Sequence, residues 1–196
     1  MRLKKSYQVA VLLATLLVFG LVPKASAQKL ALKTNALYLA TTSPNLALEV
    51  RTSPHTTIEF GGGMSLWDFS DRTSFRHWML QPELRYWLCE SMNGSFFGLH
   101  AHGGQFNIGS IDIPVGRLKE LKDNRYQGYF YGAGISYGYQ WILSNRLNLE
   151  ASIGGGYARI KYEQYPCSSC GNMLKEGYYN YWGVTRATLS LLFFFN

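Results

Sequence analysis

Charged side chains are scarce, at 16% of 196 residues, while aromatic residues make up 15%. A chain so poor in charge and rich in rings is not intrinsically disordered. Past the N-terminus there is no uninterrupted apolar run of membrane-helix length, which excludes a helical membrane protein. No basic stripe or stacked-aromatic motif is present, so a nucleic-acid partner is not expected. The pattern G-x-S-x-G is absent. Only three cysteines occur, and neither a second C-x-x-C nor a zinc-spaced His pair accompanies the one C-x-x-C, so no zinc site is expected. The length allows one domain or two very small ones.

Residues 1–27 read as an address. Arg2, Lys4 and Lys5 make a basic start, Val9 to Val22 is apolar apart from Thr15 and Gly20, and Ala25-Ser26-Ala27 is a small-residue site. That is the pattern of a cleaved secretory signal peptide, and the apolar run is short of the ~20 residues of a spanning helix. No cysteine stands at the cleavage site, so a lipoprotein is not expected. Cleavage after Ala27 leaves residues 28–196 as one domain. It removes Arg2, Lys4, Lys5 and Lys24, so fifteen bases then face twelve acids and the net charge falls from +7 to +3.

The remaining chain alternates. From Tyr129 to Trp141 one face reads Tyr129, Tyr131, Ala133, Ile135, Tyr137, Tyr139 and Trp141, and the other is small or polar apart from Phe130. Period two marks a strand, and the glycines there would weaken a helix. The same reading predicts eight strands at about 29–39, 45–51, 56–67, 77–87, 95–106, 127–141, 148–160 and 179–195. Short turns alternate with longer loops at 68–76, 107–126 and 161–178, a pattern of outer-membrane barrels.

Polarity separates a membrane barrel from a soluble one. The apolar set includes Leu46, Leu48, Val50, Ile58, Phe60, Met64, Leu66, Trp78, Leu80, Leu84, Tyr86, Phe97, Leu99, Leu149, Ile153, Leu189 and Leu191, and contains no charge. The opposite set carries Lys33, Glu49, Arg51, Glu59, Glu83, Arg85, Glu150 and Arg186, with His100 and His102. Charge inside and apolar residues outside fit a chain whose outer solvent is lipid. Four acids then face four bases in an interior polar network that fills a narrow lumen. Tyr38, Trp78, Tyr129, Tyr157 and Tyr181 are expected at the outer rim. Tyr86, Phe97, Tyr139, Trp141, Phe193 and Phe195 are expected at the inner rim.

Several motifs resemble one family. They are Lys33-Thr34-Asn35 leading to Thr41-Thr42-Ser43-Pro44-Asn45, then His77-Trp78 with Gln81-Pro82-Glu83-Leu84-Arg85-Tyr86-Trp87-Leu88-Cys89, then Phe96-Phe97-Gly98-Leu99-His100-Ala101-His102, and Tyr181-Trp182-Gly183-Val184-Thr185. Together they resemble the Bacteroidota family catalogued as domain of unknown function 3575. The resemblance implies an all-β, eight-stranded antiparallel up-and-down transmembrane barrel of the outer-membrane-protein-A/X-like kind. It implies no activity, cofactor or catalytic residue. The closing Leu189, Leu191, Phe193, Phe195 alternation resembles the C-terminal signal read by outer-membrane assembly machinery, with Asn196 after the last aromatic.

Behind a signal peptide, Cys167 and Cys170 are expected to form a small loop disulfide. Cys89 is expected to be a free thiol or an intermolecular contact. His100 and His102 share one strand face, where two imidazoles can hold a metal or hydrogen-bond to Glu83 or Glu150; the second reading is preferred. The run Gly116 to Arg125 has helix-compatible charge spacing. The preferred function is non-enzymatic: a structural or surface-interaction barrel in the bacterial outer membrane. It would contact outer-membrane lipid, and a surface protein or glycan through loops 107–126 and 161–178. An outer-membrane lipid deacylase or acyltransferase, a small ligand-binding barrel and a soluble periplasmic barrel are the alternatives.

Overall fold

A computed structural model describes residues 30–68, 74–109, 125–166 and 173–195. The expected signal peptide, Cys167 and Cys170, and most of the 107–126 loop lie outside the described residues. The described chain forms eight antiparallel strands: β1 (Leu30–Asn35), β2 (Asn45–Arg51), β3 (Thr56–Asp68), β4 (Ser74–Trp87), β5 (Gly94–Gly109), β6 (Arg125–Ile142), β7 (Leu147–Tyr165) and β8 (Lys175–Phe195). Each strand pairs with its sequence neighbours, and β1 also pairs with β8, so one up-and-down sheet closes on itself.

The register fixes the geometry. From Leu30 a row of paired residues passes Val50, Ile58, Leu84, Leu99, Ile135, Gly155 and Val184. Leu30 itself pairs with Phe195, so one circuit climbs eleven residues along β8, one of them an unpaired bulge. In an eight-stranded closed sheet such a shift tilts the strands by about 40°. The bulge is at Thr185, where Gly154 pairs with Arg186 but Gly155 pairs with Val184.

Three features differ from the alternation reading. β1 stops at Asn35, and a short helix, α1 (Ala36–Ala40), takes its place. Asn35 causes the break: its side-chain oxygen accepts the Leu37 N–H at 3.1 Å and caps the helix. Tyr38 therefore leaves the expected rim and turns inward, its hydroxyl 3.6 Å from the Met79 sulfur. Second, β7 and β8 run on to Tyr165 and Lys175, and β5 and β6 to Gly109 and Arg125, so the predicted loops 161–178 and 107–126 are shorter. Charge and polarity hid these extensions, because strands rising past an apolar band need no apolar face. Third, Tyr181 faces inward, paired with buried Ala158. The Thr185 bulge shifts the alternation by one residue and sends Trp182 outward instead.

The short turns lie at one end, at 52–55, 88–93 and 143–146. Inside that end an apolar cluster of Ala31, Trp87, Met92, Phe96, Leu192 and Phe194 is buried. The Trp87 and Phe96 rings stand 4.7 Å apart. Met92 has a φ of 67°, a left-handed conformation that a turn imposes on a non-glycine residue, and its side chain is buried there.

Candidate functional site

Above the apolar cluster the interior is ionic. β2, β3 and β4 place Glu49, Glu59 and Glu83 side by side in one register row. Three carboxylates at strand spacing repel one another unless cations stand between them. β4 supplies Arg85 two residues along, with its side chain on the same face and fully buried. Its Nε donates to Glu83 at 2.6 Å, Nη1 to Glu49 at 3.1 Å and to Glu150 at 2.8 Å, and Nη2 lies 2.6 Å from Glu59. A second bond from Nη2 to Glu150, at 3.0 Å, makes that contact bidentate. The Arg85 guanidinium lies 4.3 Å from the centre of the Phe96 ring, which ties the ionic layer to the apolar one.

Lys33 reaches Glu59 at 2.8 Å and Glu150 at 2.7 Å and also contacts Glu49. Arg186, just past the bulge, donates to Glu59 at 2.5 Å and to the Gln81 side-chain oxygen at 3.0 Å, and stands 3.4 Å from Glu83. Hydroxyls take remaining lone pairs: Thr57 donates to Glu49 and Ser136 to Glu83, each at 2.5 Å. The Trp87 indole N–H in turn donates to Thr57 at 2.9 Å. Such mutual pairing is what buried ions require.

The structure thus gathers Lys33, Glu49, Glu59, Glu83, Arg85, Glu150 and Arg186 into one cluster. Arg51 is not part of it. Half-buried near the turn end, it donates from Nε to the Ser53 carbonyl at 3.3 Å. Its place one step past Glu49 on the same face puts it beside the 52–55 turn, out of reach of the row. Four acids therefore meet three bases, not four. His100 and His102 are both buried and interior, with ring centres 5.8 Å apart. His100 Nδ1 is 4.0 Å from Glu83, beyond hydrogen-bond distance, and among the described residues neither His100 Nδ1 nor His102 Nδ1 has a hydrogen-bond partner, so the expected bond to Glu83 or Glu150 is not formed through Nδ1. Among the described residues no three His, Cys, Asp or Glu side chains stand in a metal-holding group. Cys89 is an exposed free thiol at the turn end.

Sequence reasoning missed Thr185. The bulge aims its hydroxyl at His100 Nε2, 2.9 Å away. A hydroxyl, an imidazole and a carboxylate thus neighbour one another, with a hydrogen bond only between the first two. However, Glu83 Oε1 accepts from Ser136, and Arg85 and Arg186 hold the rest of that carboxylate. The single sequence signal was the dense Gly183-Val184-Thr185 run, which alternation alone cannot place. Gly134 is required opposite it: a Cβ there would stand 2.8 Å from His100 Nε2 and 2.9 Å from the Thr185 hydroxyl.

Near the far end of β7 the outward face becomes polar. Gln127 and Tyr165 donate to Glu163, each at 3.0 Å, and these bonds hold its carboxyl below the usual carboxylate range. The Arg159 guanidinium lies 4.7 Å from the centre of the Tyr178 ring.

A closed eight-stranded sheet with its charges inside and its apolar side chains outside defines the class. The particular family follows from comparison. The model of a family described as protein of unknown function (DUF3575) matches residues 12–195, and the chain belongs to that family. No curated protein matches the chain.

Proposed function

We propose that this chain is a transmembrane β-barrel of a bacterial outer membrane, exported through a signal peptide at 1–27. In this reading it acts without catalysis, as a structural or surface-interaction protein. The observation that carries the reading is the inverted polarity. Phe60, Leu80, Leu99, Ile135, Ile153 and Val184 are all more than half exposed, while seven ionisable side chains are buried. Water as the outer solvent would favour the opposite arrangement. Lipid favours this one, provided every backbone group is paired around a closed sheet.

The dimensions agree. On β7 the outward face is free of charge from Leu149 to Tyr157 and ends at Arg159. On β4 it is free of charge from Trp78 to Tyr86 and ends at Arg76. Each stretch has about nine residues, the length a tilted strand needs to cross a hydrocarbon core. Trp78, Tyr157 and Trp182 form one girdle, and Tyr86, Tyr139 and Trp141 the other, as interfacial rings do.

The ion cluster lies across the interior, and the apolar cluster closes the turn end. This supports a filled lumen with no open pore, so interaction falls to the opposite, longer-stranded end. Lipid is the surrounding partner, and a surface protein or glycan is the proposed contact there. The test is electrophoretic mobility of the detergent-refolded mature chain, boiled against unboiled. A faster unboiled band that shifts on boiling is expected. A single band, with full solubility in the absence of detergent, would refute the membrane reading.

A further inference from the structure

β8 has 21 residues, and its neighbour β1 has six. β1 covers one edge of β8 only between Ser190 and Phe195. Asn35 adds one more step of cover, donating to the Ala187 carbonyl at 3.2 Å and accepting the Leu189 N–H at 3.1 Å. Beyond that, among the described residues, no strand pairs with this edge at 175–184. β7 pairs along the opposite edge. Ala187 and Leu189 are outward residues, and they present their polar backbone groups to the Asn35 side. By strand alternation the outward residues Trp182, Asn180 and Tyr178 present theirs on the same free edge.

Protein edges are normally blunted by lysine, proline or a bulge. Here Lys175 and Glu176 stand at the tip, and the Thr185 bulge stands at the base. Between them, residues 177–184 read Gly-Tyr-Tyr-Asn-Tyr-Trp-Gly-Val, with no charge and no proline. Both faces of this stretch carry uncovered rings. Trp182 is 76% exposed outward, and interior-facing Tyr179 is 44% exposed. An added strand would find backbone partners at the edge and aromatic neighbours on both faces.

We infer that residues 177–181 of β8, past the Trp182 girdle, form a docking edge for an extended segment of a different polypeptide, bound by strand addition beyond the membrane. This rests on the transmembrane reading above. Geometry excludes a second copy as the occupant. Two copies in one membrane are related by rotation about its normal, so both β8 strands rise outward. Tilted at about 40°, they would cross at roughly 80° and could not pair. The incoming segment alternates in character, with apolar side chains over Tyr179 and Tyr181. Its polar or acidic side chains lie outward, beside Asn180 and the exposed Arg159 on β7.

The test places a photoreactive phenylalanine at position 178, on the free edge, or at 105, in the middle of the wall, in living cells producing the full chain. An adduct to a second polypeptide is expected from position 178 and not from 105. The cross-linked peptide should be a β-rich segment of alternating character. Asn180→Pro, which removes an edge N–H, should abolish the adduct at least tenfold, and Asn180→Ala should leave it. No adduct, an adduct within the chain itself, or equal adducts from the Pro and Ala variants would overturn the inference. Heat-shifted mobility is read on the same samples. A normal shift with no adduct sinks the docking edge alone, and loss of the shift in every sample, the unsubstituted chain included, sinks the membrane reading.

Discussion

Arg85 is the residue on which the interior depends. It contacts all four buried glutamates, and no other cation among the described residues does so. Replacing it by methionine leaves those carboxylates with Lys33 and Arg186 alone. Unpairing a buried charge network in this way costs on the order of 3–5 kcal/mol. Urea unfolding of Arg85→Met in lipid vesicles, followed by tryptophan fluorescence, should show a loss of that size. Adding Glu150→Gln should recover part of it, because the two residues share contacts and their effects do not add. The charged set was legible from alternation, since period two assigns a face to each residue. Which of its members meet was not legible. Arg51 shares the face with Glu49 but stands at the turn, and the Thr185 hydroxyl reaches His100 only because of a bulge.

Among the elements, α1 is the departure with consequences. β1 ends early at Asn35, and the helix, with its exposed Leu37 and Leu39, leads from there to the start of β2 at Asn45. A helix pairs its own backbone, so under the proposed membrane reading it is a tolerable substitute for a strand. Asn35 joins the two structures, capping α1 and covering the β8 edge at Ala187 and Leu189. Asn35→Ala should therefore cost about 1–2 kcal/mol. Hydrogen exchange should quicken at Leu37 and Leu189 while the β3–β4 ladder stays protected; uniform quickening would mean that Asn35 supports the whole sheet. The strands from β3 to β8 were legible to within a few residues over their apolar lengths. Their polar extensions and α1 were not: Ala36 to Ala40 alternates no worse than a strand, and only the cap on Leu37 shows where the ladder breaks.

For the whole molecule, the solvent outside the sheet decides what a surface substitution does. Ile135 is 71% exposed at mid-wall. In water, Ile135→Lys would change stability by about 0.5 kcal/mol or less. In a bilayer it should cost about 2–4 kcal/mol. Unfolding the variant in vesicles separates the two, and a negligible change would argue against lipid around this face.

The sequence by itself determined the strand count, the apolar and charged faces and the positions of the turns. Each of these follows from local alternation and turn chemistry, which neighbouring residues carry between them. Only the tertiary structure decided the rest. Closure of β1 on β8, the tilt, the assembly of three cations among four carboxylates and the edge at 177–181, unpaired among the described residues, all depend on register. Register is a relation between strands distant in sequence, and a single bulge or an early strand end changes it without leaving a local mark.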